Sequence, residues 1–318
     1  MKNFINQLIK TIEEKGSCSV VGLDPQLEYI PDEIRKTTFK KKGSGLKNAA
    51  EAIFDFNKQI INIIHPHVGI VKLQIAFYEL LGFWGIKAYS DTIKYAKKKG
   101  LIVIGDIKRG DVPHTSEAYA VAHLEGIKFN GKQETPFEVD AITVNPYLGS
   151  DSILPFIKLA KKNGKGVFIL VRTSNPSSKE IQDLKCKNKK IHQIVANQVN
   201  RWGKDLIGEK GYSSIGAVVA SANPNIVSNL RHIMPNSYFL VPGYGAQGGR
   251  LRNIMKCFNR DGYGAIVNSS RGIIYAYNRP AWKEKHGLKN WQCAVEEAII
   301  KMDKELKEAI RHVKGHPS

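Results

Sequence analysis

Residues 101–111 read LIVIGDIKRGD, a core-like run of five followed by six residues that carry Asp106, Lys108, Arg109 and Asp111. Charged side chains are almost never fully buried unless paired. A strand fraying into a solvated loop would account for such a cluster, so a functional reading needs further support. Residues two apart on a strand point to the same side. Asp106 and Lys108 therefore share a face, while Arg109 faces away and reads as structural. A further lysine, Lys72, lies inside VGIVKLQIAFYELLG (68–82), apolar on both sides, where it needs a partner or a job. If the two strands are neighbours, Lys72 comes within reach of Asp106. An alternating row of lysines and carboxylates gives each charge an opposite neighbour. It also keeps a cationic general acid beside anions without neutralising either. Asp111 follows Gly110 in the loop beyond.

Something must hold these residues in place. Short β-rich runs recur at 18–24, 68–74, 101–108, 141–147, 166–174, 214–221, 237–245 and 264–271. Their near-continuous apolar character suits parallel strands covered on both faces. Helical patterns fill several gaps, as at 49–64, 191–208 and 225–233. Strand–helix alternation argues for βα units, and eight of them match an α/β fold of the (β/α)8 TIM-barrel type. A doubly wound open sheet also accommodates the pattern. The chain reads as a single domain over 1–318, with a Lys-rich insertion near 33–48, another near 123–137, and a C-terminal tail near 312–318 that is a candidate for disorder.

Almost every run ends in a polar residue: Asp24, Lys72, Asp106 with Lys108, Asn145, Thr173 with Ser174, Ser221, Gln247 just beyond the seventh, and Arg271. Barrel enzymes place their active sites at these strand ends. Helix capping explains Asn145, Ser221 and Asn223 at least as well. Loops after strands seven and eight commonly bind phosphate in such barrels. Here Gly243, Gly245, Gly248 and Gly249 free backbone amides for an anion, Gln247 can donate, and Arg271 can grip two oxygens. GYGAQG (243–248) formally matches a dinucleotide fingerprint. It follows the seventh strand, however, and the eighth ends in Arg271 where a nicotinamide enzyme wants an acid. His65 and His67 have metal-like spacing but precede strand two, at the stability end of a barrel, which favours a structural role.

Composition narrows the class. With 42% hydrophobic and 24% charged residues the chain is globular and soluble, and it contains no apolar run of membrane-spanning length. Phe4, Ile5, Leu8, Ile9 and Ile12 recur at helical spacing before Glu13 and Glu14, an amphipathic helix and not a signal peptide. The expected compartment is the cytoplasm. Cys18, Cys186, Cys257 and Cys293 form no CxxC pair, so four buried, reduced thiols are expected and no metal site. The net charge of +19 sits in lysine runs without interleaved aromatics, which reads as solvated faces.

Asp106-Ile-Lys108-Arg-Gly-Asp111 resembles the DxKxxD motif of the orotidine 5′-monophosphate decarboxylase family, with Lys72 as the lysine of the preceding strand. GLDP (22–25), VKLQIAFYE (71–79), TVNPYLGSD (143–151), VRTSNPSS (171–178), VPGYGAQGG (241–249) and VNSSRG (267–272) resemble blocks of that family in the same order, several of them typical of a longer bacterial and protozoan branch. The resemblance implies decarboxylation of orotidine monophosphate to uridine monophosphate without a cofactor. Asp24 and Lys72 would hold the ribose hydroxyls, with Gln74 nearby. Asp106 would face the substrate carboxylate and Lys108 would protonate the ring carbon. Asp111 and Thr115 would reach the neighbouring subunit's site, which implies a homodimer with shared sites. Ser174, with Thr173, would meet the pyrimidine edge, and Gly245, Gln247 and Arg271 the phosphate. No partnership with nucleic acid or membrane is expected. Two rivals stand: a magnesium-dependent sugar-phosphate (keto-acid phosphate) decarboxylase on the same scaffold, and a basic nucleic-acid-binding module. The first wants an acidic metal ligand where this chain has Lys72.

Overall fold

Each of the eight expected strands forms in the computed structural model, which describes residues 3–43, 45–245 and 251–315. They are β1 (Ser19–Leu23), β2 (Ile70–Gln74), β3 (Ile102–Arg109), β4 (Ala141–Val144), β5 (Gly166–Arg172), β6 (Ser213–Val219), β7 (Ser237–Val241) and β8 (Ala265–Ser269). All are parallel, each pairs with its sequence neighbours, and β1 closes on β8. The fold is therefore a closed (β/α)8 barrel, and the open-sheet alternative falls.

The apolar runs are continuous because alternate residues enter two different cores. Val21, Leu23, Val71, Leu73, Val103, Val167 and Ile169 face outward against the helices. Val20, Ile70, Ile102, Ile104, Phe168, Leu240 and Ile266 face the barrel interior. The amphipathic N-terminal helix, Phe4–Lys15, is capped by the Asn3 side chain and places Phe4, Ile5, Leu8 and Ile9 in that interior cluster. It therefore plugs the barrel's N-terminal end. Phe4 meets Phe168 edge-on with ring centroids 6.0 Å apart. It lies so close to Gly166 that a Cβ there would sit 2.3 Å from the ring. At the same end Arg231 is buried over the Phe239 ring and donates to the carbonyls of Cys257, Met234, Ser237 and Gly264. Burial pulls its guanidinium down to about 10.

The extra segments contain secondary structure of their own. The Lys-rich stretch forms a helix, Asp32–Lys42, with Ile34 and Thr38 buried, followed by the helix Leu46–Ile64. Residues 123–137 include an antiparallel hairpin, Ile127–Phe129 with Lys132–Glu134. A second hairpin, Lys185–Cys186 with Lys189–Lys190, follows β5. The tail expected from 312 is helical as far as Gly315, within Trp291–Gly315, and 316–318 lie outside the described residues. The expectation of four buried thiols is corrected: Cys18 and Cys257 are buried, but Cys186 on the second hairpin and Cys293 near a helix start are exposed. His67 pairs with Glu296 at 3.0 Å.

Candidate active site

Inward alternation along β2 and β3 carries the barrel's interior from apolar to charged within two residues. Ile70 is followed on its face by Lys72 and Gln74, and Ile104 by Asp106 and Lys108. Parallel register sets Gln74 opposite Asp106. Lys72 is 5% exposed and Asp106 is 6% exposed, so the cluster lies at the floor of the C-terminal mouth.

Asp106 organises it. Its Oδ2 accepts from Lys72 Nζ at 2.7 Å and from Gln74 Nε2 at 3.2 Å. Its Oδ1 accepts from Lys108 Nζ at 2.6 Å and from Thr143 Oγ1 at 2.8 Å. Lys72 also pairs with Asp24 Oδ1 at 3.7 Å. The row thus runs Asp24, Lys72, Asp106, Lys108, with opposite signs adjacent throughout. Burial alone would raise the Asp106 carboxyl, but the Lys72 and Lys108 ammoniums and their hydrogen bonds hold it far below the ordinary carboxylate range. Burial would likewise lower Lys72, yet Asp106 and Asp24 outweigh it and its ammonium is held above its usual value. Lys72 and Asp106, the two buried members at the centre of the row, are thereby kept charged at neutral pH.

Lys108 differs from Lys72 in exposure and backbone. Its side chain is 41% exposed, open to the mouth. Its φ is +47°, a left-handed conformation that costs a non-glycine residue of order 1 kcal/mol. The β3–β4 ladder shifts register between Gly105 and Arg109, an irregularity of the kind that re-aims side chains beside active sites. The Lys108 N–H donates to Thr143 Oγ1 at 3.0 Å, so Thr143 supports both catalytic candidates. Beyond Lys108 the chain passes so close to β4 that a Cβ at Gly110 would lie 2.5 Å from the Asn145 carbonyl oxygen. Arg109 points outward as its alternation predicts: it pairs with Glu79, donates to the Ile107 carbonyl and covers the Tyr119 ring.

The remaining candidates ring the mouth. Asp111 is half-buried and accepts from the Val112 N–H at 2.7 Å, and Thr115 lies on the helix Pro113–Ala120. Neither is among the hydrogen-bond or ion-pair partners of Lys72, Asp106 or Lys108 within one chain. After β5, the Thr173 hydroxyl donates to Asn175 Oδ1 at 2.6 Å, whereas Ser174 is exposed. After β7, Gly243 and Gly245 adopt φ of +86° and +75°, and Ser269 Oγ donates to the Tyr244 carbonyl, joining this loop to the end of β8. Arg271 is exposed and opens the short helix Arg271–Ile274. Gln247, Gly248 and Gly249 lie outside the described residues. Asn145 and Asn223 cap local turns, accepting from the N–H groups of Tyr147 and Asn225. Thr143 escaped the sequence reading, although it follows Ala141 on the inward face of β4 and could have been found by alternation.

The chain is similar in sequence and fold to known proteins of one family. The family model for orotidine 5′-phosphate decarboxylase / HUMPS matches residues 20–284. The orotidine 5′-phosphate decarboxylase of Caldicellulosiruptor bescii is 42% identical over 87% of this chain and 91% of its own length. That of Clostridium kluyveri is 42% identical over 95% and 97% respectively. The structure of Leishmania donovani OMP decarboxylase superposes with a TM-score of 0.73 at 25% identity, covering 97% of this chain and 99% of that one. Leishmania donovani UMP synthase gives 0.76 at 28% identity, over 99% of this chain and 58% of its own. A closed barrel, a charged row at its C-terminal mouth and a match along most of the sequence together place the chain in the orotidine 5′-phosphate decarboxylase / HUMPS family.

Proposed function

We propose that this chain decarboxylates orotidine 5′-monophosphate to uridine 5′-monophosphate without a cofactor. The observation that carries the reading is the Asp24–Lys72–Asp106–Lys108 row, buried at Lys72 and Asp106, which fixes two ammoniums and two carboxylates at the end of a barrel. Loss of carbon dioxide leaves the bonding electron pair on the ring carbon with no conjugated sink. Fixed charges already in place stabilise such a carbanion better than reorganising water does. Lys108, the more exposed lysine, supplies positive charge beside that carbon and then its proton, which closes the balance as carbon dioxide leaves. Asp106 meets the departing carboxylate, Asp24 and Lys72 hold the ribose hydroxyls, and Gln74 braces Asp106. Ser174, with Thr173, is assigned to the pyrimidine edge. Gly245, Gln247 and Arg271 are assigned to the phosphate, whose remote binding can be used at the reacting ring.

The same reading makes the protein a cytoplasmic homodimer with shared sites, Asp111 and Thr115 serving the partner's mouth. It is supported by exposed apolar side chains on the segments that follow three neighbouring strands: Leu80 and Phe83 after β2, Val112 after β3, and Tyr147 and Leu148 after β4. No helix among the described residues is long and apolar enough to cross a membrane. The magnesium-dependent rival is disfavoured because the Lys72 ammonium sits between the two carboxylates a metal would need.

Consumption of orotidine monophosphate, followed by ultraviolet absorbance with chelator present, tests the assignment. Turnover should persist in chelator. Lys108→Ala should abolish it while uridine monophosphate still binds. Activity that needs added magnesium, or near-normal turnover by the mutant, would overturn the reading.

A further inference from the structure

The loop after β5 is held by a segment that sequence reasoning did not single out. Gln182 ends the short helix Lys179–Gln182, which lies between β5 and the second hairpin. Its amide grips Thr173 at two points. Gln182 Oε1 accepts the Thr173 N–H at 2.9 Å, and Gln182 Nε2 donates to Thr173 Oγ1 at 2.7 Å. With the Thr173 hydroxyl also donating to Asn175 Oδ1, its donor is occupied and one of its two acceptor positions is filled. The clamp is itself anchored. Arg172 NH1 donates to Gln182 Oε1 at 3.2 Å, to the Thr173 carbonyl and to Ser178 Oγ. Arg172 NH2 reaches Asp183 at 3.2 Å, and the buried His192 contacts the Gln182 carbonyl at 2.8 Å and Asp183 at 3.1 Å. Ser174, next in the chain, stays exposed.

We infer that Gln182 is a positioning residue that presents Ser174, and not Thr173, to the pyrimidine edge of the substrate. The inference rests on the proposed reading of the site. Its physical content is that the bidentate clamp fixes the peptide and hydroxyl of Thr173, and so limits where the Ser174 side chain can point. A loop pre-set in this way loses less entropy when substrate binds, which favours the oriented complex.

A double-mutant cycle in the full-length enzyme tests it, using Gln182→Ala, Ser174→Ala and the pair, with Gln182→Met as a near-isosteric variant should Gln182→Ala fold poorly. Each single change should lower kcat/KM for orotidine monophosphate roughly ten-fold, and the double mutant should be no worse than Ser174→Ala alone. Both single mutants should weaken uridine monophosphate as an inhibitor while leaving ribose 5-phosphate, which lacks the base, bound as before. Independent, multiplying losses, or equal weakening of both inhibitors, would show that Gln182 merely stabilises the fold, and the inference falls. A costly Ser174→Ala beside a silent Gln182→Ala removes the clamp and leaves the pyrimidine assignment standing. A silent Ser174→Ala removes that assignment and the inference together.

Discussion

Lys108 combines a proton-donor assignment with a backbone that a lysine does not favour. Its left-handed φ persists because its neighbours hold it: the N–H on Thr143, the Nζ on Asp106, and Arg109 anchored to Glu79 and Tyr119. Strain held by surrounding structure at a reacting group is a form of pre-organisation. It makes a stability prediction that separates backbone from charge. Lys108→Ala and Lys108→Gly both delete the ammonium, but only alanine retains the steric conflict at positive φ. Denaturant unfolding should find the glycine variant more stable by about 1 kcal/mol, the reverse of the usual order within a strand, with both variants inactive. Equal stability, or alanine ahead, would mean the left-handed turn is not held in solution. The type and pairing of Lys72, Asp106 and Lys108 were legible in the sequence, because buried charges demand opposite partners. The left-handed turn was not, since no local residue type announces it.

Among the elements, the N-terminal helix shows how the two ends of the barrel divide their labour. Its apolar face closes the bottom, far from the charged mouth, and Phe4 occupies the space that a side chain at position 166 would need. Gly166→Ala should therefore lower stability by about 1–3 kcal/mol, the range for forcing extra volume into a packed core. Thermal unfolding should show the loss, and Phe4→Leu in the same chain should recover part of it. KM for orotidine monophosphate should not change, and a raised KM would contradict the separation of the two ends. The helix itself could be read from its 3.6-residue spacing. Its partner across the barrel could not, because Gly166 and Phe4 are 162 positions apart in sequence. Gln182 escaped for a related reason: a single glutamine in the segment between β5 and the second hairpin carries no periodic or motif signal until the fold sets it against Thr173.

For the whole molecule, Asp111 and Thr115 are the assigned residues that stand apart from the charged row. Within one chain they stand on the rim, beside loops with exposed apolar side chains, without joining the charged row. If they complete the partner's site, inactive Lys108→Ala and Asp111→Ala proteins should restore activity when subunits exchange. Random exchange makes half the dimers hybrid, and each hybrid rebuilds one of two sites, so recovery should approach about a quarter of the wild-type rate. A mixture no more active than its parts, under conditions where exchange is verified, would remove the shared-site reading.

The sequence by itself determined eight two-sided apolar strands alternating with helices, and the identity of the charged residues at their ends, while closure into a barrel was settled by the pairing of β1 with β8. Eight two-sided apolar runs leave few ways to be covered, and a lysine between apolar neighbours must find a carboxylate. Only the tertiary structure decided which contacts those residues make. The register of β2 on β3 set Gln74 opposite Asp106, the β3–β4 shift accompanied the turn at Lys108, and Thr143 was brought to both. Such choices depend on ladders and packing between segments distant in sequence, where residue type sets what a group can bond to and the fold sets which partner is within reach.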